Sequence, residues 1–255
     1  MKSSLRIFTI LFCIIQIDAS AQTKQVQNWN QIWYAYNNNT KLTNKWGVWF
    51  DIQNKTRENY FKNFDVKENT LGAIYYINDR TKITSAFTYI QSFPSATNPS
   101  FSVPEYRPWQ MVQWKTHAGA FKFSHWIRLE ERFKRKTINN NALTDGYDFS
   151  YRMRYNIFME LPISKIKYDK GAISLSSSEE LYLNYGKNIV YNTFDQNRLF
   201  LGFLYYFNKH DFIQMGYTNA FQQLPSGNKY KSIDALKITF FNNLDLRKKL
   251  PTHKG

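Results

Sequence analysis

Apolar and polar residues alternate with a period of two along most of the chain. In the clearest segment, residues 148–157, apolar side chains occupy every second position, and Asp, Ser, Arg or Asn occupies the others. Shorter copies of this pattern occur near 48–57, 82–89, 124–133 and 213–218. Successive side chains of a β-strand point to opposite faces, so each segment separates an apolar environment from a polar one. The pattern therefore predicts an all-β protein.

Eleven segments of this kind are predicted as strands. Their expected starts are near Asn28, Trp46, Asn69, Lys82, Glu105, Phe121, Tyr147, Ala172, Phe194, Asp211 and Tyr230. Tight connections at 77–81, 117–120 and 207–211 contrast with long ones at 92–104, 134–146 and 222–231. This hairpin rhythm is typical of bacterial outer-membrane barrels. The chain is thus predicted to form an antiparallel up-and-down transmembrane β-barrel of about 10–12 strands.

The odd strand count leaves an alternative open, because single-chain bacterial barrels usually have an even number of strands. Either a twelfth strand is hidden within residues 22–31 or in a long loop, or one of the eleven segments is not a strand. The final strand is expected near 236–246, upstream of a basic tail.

The N-terminus has the three-part pattern of a secretory signal peptide. Basic residues precede an apolar run over 7–17, and the small residues Ala19, Ser20 and Ala21 follow. This run is shorter than the roughly 20 apolar residues that a membrane-spanning helix needs. We expect cleavage after Ala21, which leaves one barrel domain over residues 22–255 in the cell outer membrane. Cys13, the only cysteine, would be removed, so the mature chain would contain no disulfide.

Composition agrees with an envelope location. Aromatic residues make up 18% of the chain, although the mean hydropathy is −0.55, as expected when only every second strand residue faces lipid and rings form interfacial girdles. The formal net charge of +15 favours anionic partners. We expect contacts with outer-membrane lipids and lipopolysaccharide, and the run Lys134 to Lys136 is expected in a long loop that could meet lipopolysaccharide phosphates. Export and the lack of RNP or zinc-finger spacing exclude nucleic acid as a partner.

Nine charged residues face the interior if the apolar faces point outward. They are Glu105, Arg107, Arg128, Glu130, Arg132, Arg152, Arg154, Glu180 and Arg198. The planar guanidinium group binds carboxylates through paired hydrogen bonds, so these residues are predicted to fill a narrow lumen as an ion-pair network. The excess of Arg also suits passage or binding of small anionic solutes, as in anion-selective pores. Both interpretations remain open at this stage.

Five short motifs resemble the family described as domain of unknown function 2490, which comprises Bacteroidetes-type outer-membrane β-barrels. They are Glu-Tyr-Arg-Pro-Trp-Gln at 105–110, Arg-Leu-Glu-Glu-Arg-Phe at 128–133, Tyr-Arg-Met-Arg-Tyr at 151–155, Glu-Glu-Leu-Tyr at 179–182, and Gln-Asn-Arg at 196–198 before Gly202. The resemblance covers most of residues 22–255 and implies location and fold, but no activity. Trp126 departs from the pattern, which suggests Arg there. The tail lacks the terminal aromatic residue that the barrel assembly machinery, an expected partner, reads in many barrels.

Two other functions are alternatives to a non-enzymatic barrel. An outer-membrane lipid or lipopolysaccharide hydrolase would need Ser, His and an acid within hydrogen-bond reach. His125 with Ser176 or Ser178 and Glu179 is the candidate set, although its spacing gives no support. A soluble periplasmic barrel would instead turn its apolar faces inward around a ligand. The sequence predicts no catalytic residue, no cofactor and no metal site.

Overall fold

The computed structural model describes residues 24–57, 63–94, 101–138 and 141–247. The expected signal peptide and its cleavage site lie outside the described residues. The strands are β1 (Gln25–Lys41), β2 (Trp46–Thr56), β3 (Phe64–Tyr76), β4 (Thr81–Ser92), β5 (Val103–Ala118), β6 (Phe121–Thr137), β7 (Leu143–Pro162), β8 (Ile173–Tyr185), β9 (Phe194–Tyr206), β10 (Asp211–Gln223) and β11 (Lys229–Asp245). In the described part of the chain, no helix is long and apolar enough to span a membrane.

The eleven strands close into one barrel, which confirms the predicted all-β fold class. Each strand pairs with the next in the chain in antiparallel fashion, and β1 closes the barrel by pairing with β11 in parallel. This parallel seam follows from the odd strand count, because strand direction reverses at every connection. Residues 25–31, part of the segment considered for a twelfth strand, belong to β1. The parallel pair is thus a departure from the fully antiparallel prediction.

Side-chain exposure alternates along the strands, with the apolar face outside. On β7, Tyr151 is 51% exposed and Tyr155 is 38% exposed, whereas Arg152 and Asn156 are buried in the interior. This facing is the opposite of what a soluble barrel with an apolar ligand cavity requires. The interior therefore holds the buried charged residues beside small apolar clusters, and the outer face exposes large apolar side chains along the strands.

Connections fall at two rims of the barrel. At the turn rim, four of the five connections have four residues or fewer, namely 42–45, 77–80, 119–120 and 207–210, and the fifth spans 163–172. The loop rim is formed by the opposite ends of the strands, where β2 ends and β3 begins, and likewise for β4 and β5, β6 and β7, β8 and β9, and β10 and β11. Because β1 and β11 are parallel, β1 begins at the loop rim and β11 ends at the turn rim.

Two predicted long connections are shorter than expected because the strands extend into them. The connection predicted at 134–146 spans 138–142, since β6 continues to Thr137. Lys134 pairs with Asp148, and the Arg135 guanidinium donates a hydrogen bond to the Thr144 carbonyl at 3.0 Å. The basic run predicted in a loop thus lies at the end of a paired strand. Likewise, the connection predicted at 222–231 spans 224–228, since β10 continues to Gln223 and β11 begins at Lys229, next to the start expected near Tyr230.

Two facing glycines let β9 and β10 approach closely. Gly202 pairs directly with Gly216. A Cβ atom on Gly216 would lie 2.2 Å from the Leu201 carbonyl oxygen and 2.5 Å from the Gly202 Cα atom. A side chain there would push β9 and β10 apart. The two glycines therefore allow the close spacing of these strands, which form part of the wall of the interior cavity described below.

We expect the parallel seam to be trapped by a disulfide between Asn38→Cys and Asn242→Cys in a Cys13→Ser chain. The two residues are register partners on the outer face, and their side-chain amides are hydrogen-bonded at 2.5 Å. Neighbouring strands lie about 4.7–4.9 Å apart, within the range that a disulfide spans. Mild oxidation should produce a band of altered mobility on denaturing gels that reductant removes. The pair Asn38→Cys and Phe241→Cys, with the second thiol inside the barrel, should not crosslink; the reverse result would contradict this register.

Candidate functional site: the charged lumen

The nine charged residues singled out by the sequence lie on the inner face of five consecutive strands. Glu105 and Arg107 are on β5, and Arg198 is on β9. The others are Arg128, Glu130 and Arg132 on β6, Arg152 and Arg154 on β7, and Glu180 on β8. Residues two apart on a strand share a face, and these strands are neighbours in the barrel. They therefore form one charged patch on the inner wall.

Glu130 is the centre of this patch. Its carboxylate lies 2.7 Å from Arg154, 3.3 Å from Arg107, 3.8 Å from Arg128 and 3.9 Å from Arg152, measured to the nearest guanidinium nitrogen. Only 1% of the residue is exposed. One buried carboxylate thus links arginines from three adjacent strands, β5, β6 and β7.

Glu105 contacts two guanidinium groups near the loop rim, of which one is shared with Glu130. Arg132 donates through Nε to Glu105 Oε1 at 2.8 Å and through a terminal nitrogen to Oε2 at 3.1 Å. Arg107 donates to Oε1 through Nε and a terminal nitrogen at 2.9 and 2.6 Å. The two-bond contact to Arg132 is the strong geometry for an arginine and a carboxylate. Arg107 bridges Glu105 and Glu130, so the two groups form one network.

Arg154 extends the network to β8. It contacts Glu180 Oε1 at 2.5 Å and donates a hydrogen bond to the Tyr182 hydroxyl at 3.0 Å. The Tyr182 ring also lies under Arg198, whose guanidinium carbon is 4.6 Å from the ring centroid. Tyr182 is 1% exposed, so its ring and hydroxyl both act inside the barrel.

Two β-bulges each turn an aspartate toward the lumen. Regular strand alternation would place both side chains on the outer face. Leu183 pairs with Phe194 and Tyr182 pairs with Gln196, which leaves Asp195 as the extra residue. Asp195 contacts Arg152 at 2.9 Å. The bulge opposite Lys55 and Thr56 leaves Asp65 as the extra residue in the same way, and Asp65 contacts Arg57 at 3.0 Å. Bulges commonly re-aim a side chain in this manner.

The surroundings of Trp126 account for a Trp at the position where the family pattern suggests Arg. It lies on the inner face of β6, where its ring is 4.9 Å from the Arg128 guanidinium carbon and 5.2 Å from that of Arg154. The Trp109 ring is 3.9 Å from the same atom of Arg128. An aromatic face attracts a guanidinium group, so Trp126 supports two existing arginines where an additional Arg would repel them.

Several interior charges were not among the residues predicted from the sequence. Lys55 forms a salt bridge with Glu68 at 2.5 Å, and Asp51 accepts hydrogen bonds from Asn37 and Gln53 at 3.0 and 2.7 Å. Apart from the Arg57–Asp65 pair, the described residues place at least nine cations and six carboxylates in the lumen. They are Lys55, Lys82, Arg107, Arg128, Arg132, Arg152, Arg154, Arg198 and Lys237, and Asp51, Glu68, Glu105, Glu130, Glu180 and Asp195. Lone Lys or Asp residues on mixed strand faces carry no sequence signal that separates them from solvated charges.

The lumen is filled by side chains around Glu130. Trp109, Tyr182 and Met111 are almost completely buried, and Trp49 packs edge-on against Trp109 with ring centroids 5.9 Å apart. A cavity of about 50 Å³ lies to one side, against strands β1, β2 and β8 to β11. This volume accommodates a few water molecules or one small ion.

The candidate hydrolase residues are not brought together. His125 lies on the outer face, where its ring nitrogens are 3.1 Å from the Tyr155 hydroxyl and 3.1 Å from the Thr116 hydroxyl. Ser176 is buried in the interior and Ser178 lines the cavity. The barrel wall therefore separates the imidazole from both serines. Among the described residues, no cluster of three or more His, Cys, Asp or Glu residues could hold a metal ion.

One known family of proteins matches most of the chain. The model of the family described as a protein of unknown function (DUF2490) matches residues 30–231, which include β2 to β10 in full and the nine charged residues. No curated protein and no solved structure matches the chain. The family match covers most of the chain and agrees with the resemblance seen in its motifs. The chain therefore belongs to the DUF2490 family.

Proposed function

We propose that this protein is an integral outer-membrane β-barrel without enzymatic activity, whose interior is closed by an Arg and Glu network. The observation that carries the proposal is the apolar outer surface. Every strand exposes at least one large apolar side chain there: Tyr36, Phe50, Leu71, Phe87, Val112, Leu129, Tyr151, Leu175, Leu201, Met215 and Leu236. Soluble monomers rarely expose a contiguous apolar patch of more than a few hundred Å². An apolar belt around the whole barrel is therefore expected to be surrounded by lipid.

Strand length supports the same proposal. The shortest strand, β2, has 11 residues and the longest, β7, has 20. A tilted transmembrane strand needs about 9–11 residues to cross the hydrocarbon core. Every strand is therefore long enough to cross, and the longer ones extend beyond the bilayer.

Exposed rings at the two rims fit membrane interfaces. Trp46 contacts Tyr75 with ring centroids 5.0 Å apart at the turn rim, and Tyr205 contacts Phe207 at 5.1 Å on the same side. Tyr147 is exposed near the loop rim. Leucines such as Leu71, Leu129 and Leu201 occupy the zone between them. Aromatic girdles flanking an aliphatic band are typical of outer-membrane barrels.

The packed lumen favours a role in envelope structure over free conduction. Glu130 and the arginines around it occupy the interior with little exposure. Their ion pairs connect the five strands from β5 to β9 and so stabilise the barrel wall from the inside. The expected partners are outer-membrane lipids and lipopolysaccharide, with insertion by the barrel assembly machinery.

Fractionation, gel mobility and bilayer recordings test this proposal. We expect the protein in the outer-membrane fraction, a different gel mobility before and after boiling, and no stable conductance steps in planar bilayers. Recovery in the soluble periplasm without a mobility shift would overturn membrane placement. Steady chloride-selective conductance steps would show that the lumen is open and would favour narrow passage of small anions. The excess of cations in the lumen is the observation that supports this second function.

A further inference from the structure

The interior cavity is lined by cations from three different parts of the barrel. Lys55 from β2, Arg198 from β9 and Lys237 from β11 contribute to its wall, together with Thr239 and Glu180. This cavity is distinct from the Glu130 centre, because none of the four arginines around Glu130 lines it. Arg154 links the two regions, because it contacts both Glu130 and the cavity-lining Glu180.

Two of these cations have no carboxylate partner. Within the described part of the chain, neither Lys237 nor Arg198 forms a salt bridge. The Lys237 ammonium lies over the Phe200 ring, 5.3 Å from its centroid. Arg198 lies against two rings, Trp33 at 5.0 Å and Tyr182 at 4.6 Å. Aromatic faces hold both cations in place without neutralising them.

Two buried hydrogen-bond donors at the cavity are also unused. The Arg198 Nε atom and the Thr239 hydroxyl are buried and have no hydrogen-bond partner. Thr239 is only 4% exposed. A buried polar group without a partner is costly, and a bound water or ion is one way to satisfy it.

The nearby carboxylates are already engaged elsewhere. Glu180 accepts from Arg154 at 2.7 Å, and Glu68 accepts from Lys55 at 2.5 Å. Asp51 accepts from the amides of Asn37 and Gln53. The amides leave the charge of Asp51 in place, so it offsets one of the two cations. Arg198 and Lys237 therefore leave one net positive charge at the cavity, where charge without a partner is unfavourable.

We propose that this cavity binds a small inorganic oxyanion, for which phosphate is the probe. The Lys237 ammonium supplies charge, and the Arg198 Nε–H and Thr239 hydroxyl supply hydrogen bonds. Several oxygens around one centre suit these separate donors better than a spherical halide does, because guanidinium and hydroxyl groups bond directionally to oxygen. The cavity volume of about 50 Å³ suits a single ion of this size.

Binding of radiolabelled phosphate to detergent-folded protein tests the inference. Wild type should bind about one phosphate per barrel, and Lys237→Gln or Thr239→Val should weaken binding at least about ten-fold, as expected for a lost charge-assisted or buried hydrogen bond. Lys82→Gln is the matched control: Lys82 is another lumen lysine, placed over the Trp49 ring and outside the cavity lining. It should bind phosphate with unchanged affinity. Each variant is first shown to be folded by a β-sheet circular-dichroism spectrum that matches that of the wild type.

Other outcomes would overturn the site. Absence of phosphate binding by folded wild type would mean that the cavity holds water only. Equal loss in Lys82→Gln and Lys237→Gln would indicate a diffuse charge effect, and displacement of phosphate by equimolar chloride would exclude oxyanion selectivity. The inference depends on the barrel interior and not on membrane placement. Its failure in this assay is therefore distinguishable from failure of the fractionation test.

Discussion

Glu130→Gln is expected to destabilise the barrel by about 3–5 kcal/mol, the usual cost of removing one partner from a buried ion pair. The carboxylate is 1% exposed and lies within 3.9 Å of four arginines. The amide keeps the shape of the side chain but removes its charge, so the guanidinium groups repel one another without a central anion. Urea unfolding in detergent or lipid, followed by tryptophan fluorescence, measures the change.

Glu131→Gln is the matched control for this prediction. Glu131 is adjacent in sequence on β6, but its side chain takes the outer face, away from the arginine network. The same chemical change there should alter the free energy of unfolding by less than about 1 kcal/mol. Equal stability of Glu130→Gln and wild type would show that the arginines are solvated by water and do not depend on Glu130.

The strand pattern could be predicted from sequence because alternation is local. Residues 148–157 alone define which face of β7 is apolar, and ten other segments repeat the same rule. Parity places Arg152 and Glu130 on the polar faces of their strands, but only the structure shows that these faces point inward. Strand ends do not follow from alternation, because pairing partners such as Asp148 for Lys134 decide how far β6 extends.

Features that depend on closure or on irregular pairing could not be predicted in this way. The bulge that turns Asp195 toward Arg152 reverses its parity, and nothing in the local sequence marks it. The cavity depends on Lys237 of β11 and Arg198 of β9 lying on either side of β10. The parallel seam follows from the strand count alone, but the sequence did not establish that count.

Leu129→Arg is expected to reduce stability in lipid by about 2–4 kcal/mol, the cost of placing Arg at the bilayer midplane on the lipid face of a barrel. Leu129 is 55% exposed at the middle of β6. In a protein surrounded by water, the same substitution on an exposed position would change stability by about 0.5 kcal/mol or less. Urea unfolding from phospholipid vesicles, with reversibility established, measures this difference.

Leu143→Arg is the control that distinguishes the effect of depth in the bilayer from the effect of replacing an exposed leucine by arginine. Leu143 is also an exposed leucine, 39% exposed, but it is the first residue of β7 at the loop rim. Near the interface an Arg side chain can reach water, so the expected cost is only about 0–1 kcal/mol. A large effect at Leu129 with a small one at Leu143 is what a lipid-facing belt requires. Small and equal effects at both positions would instead mean that water surrounds the whole barrel, and that the exposed apolar surface has another partner.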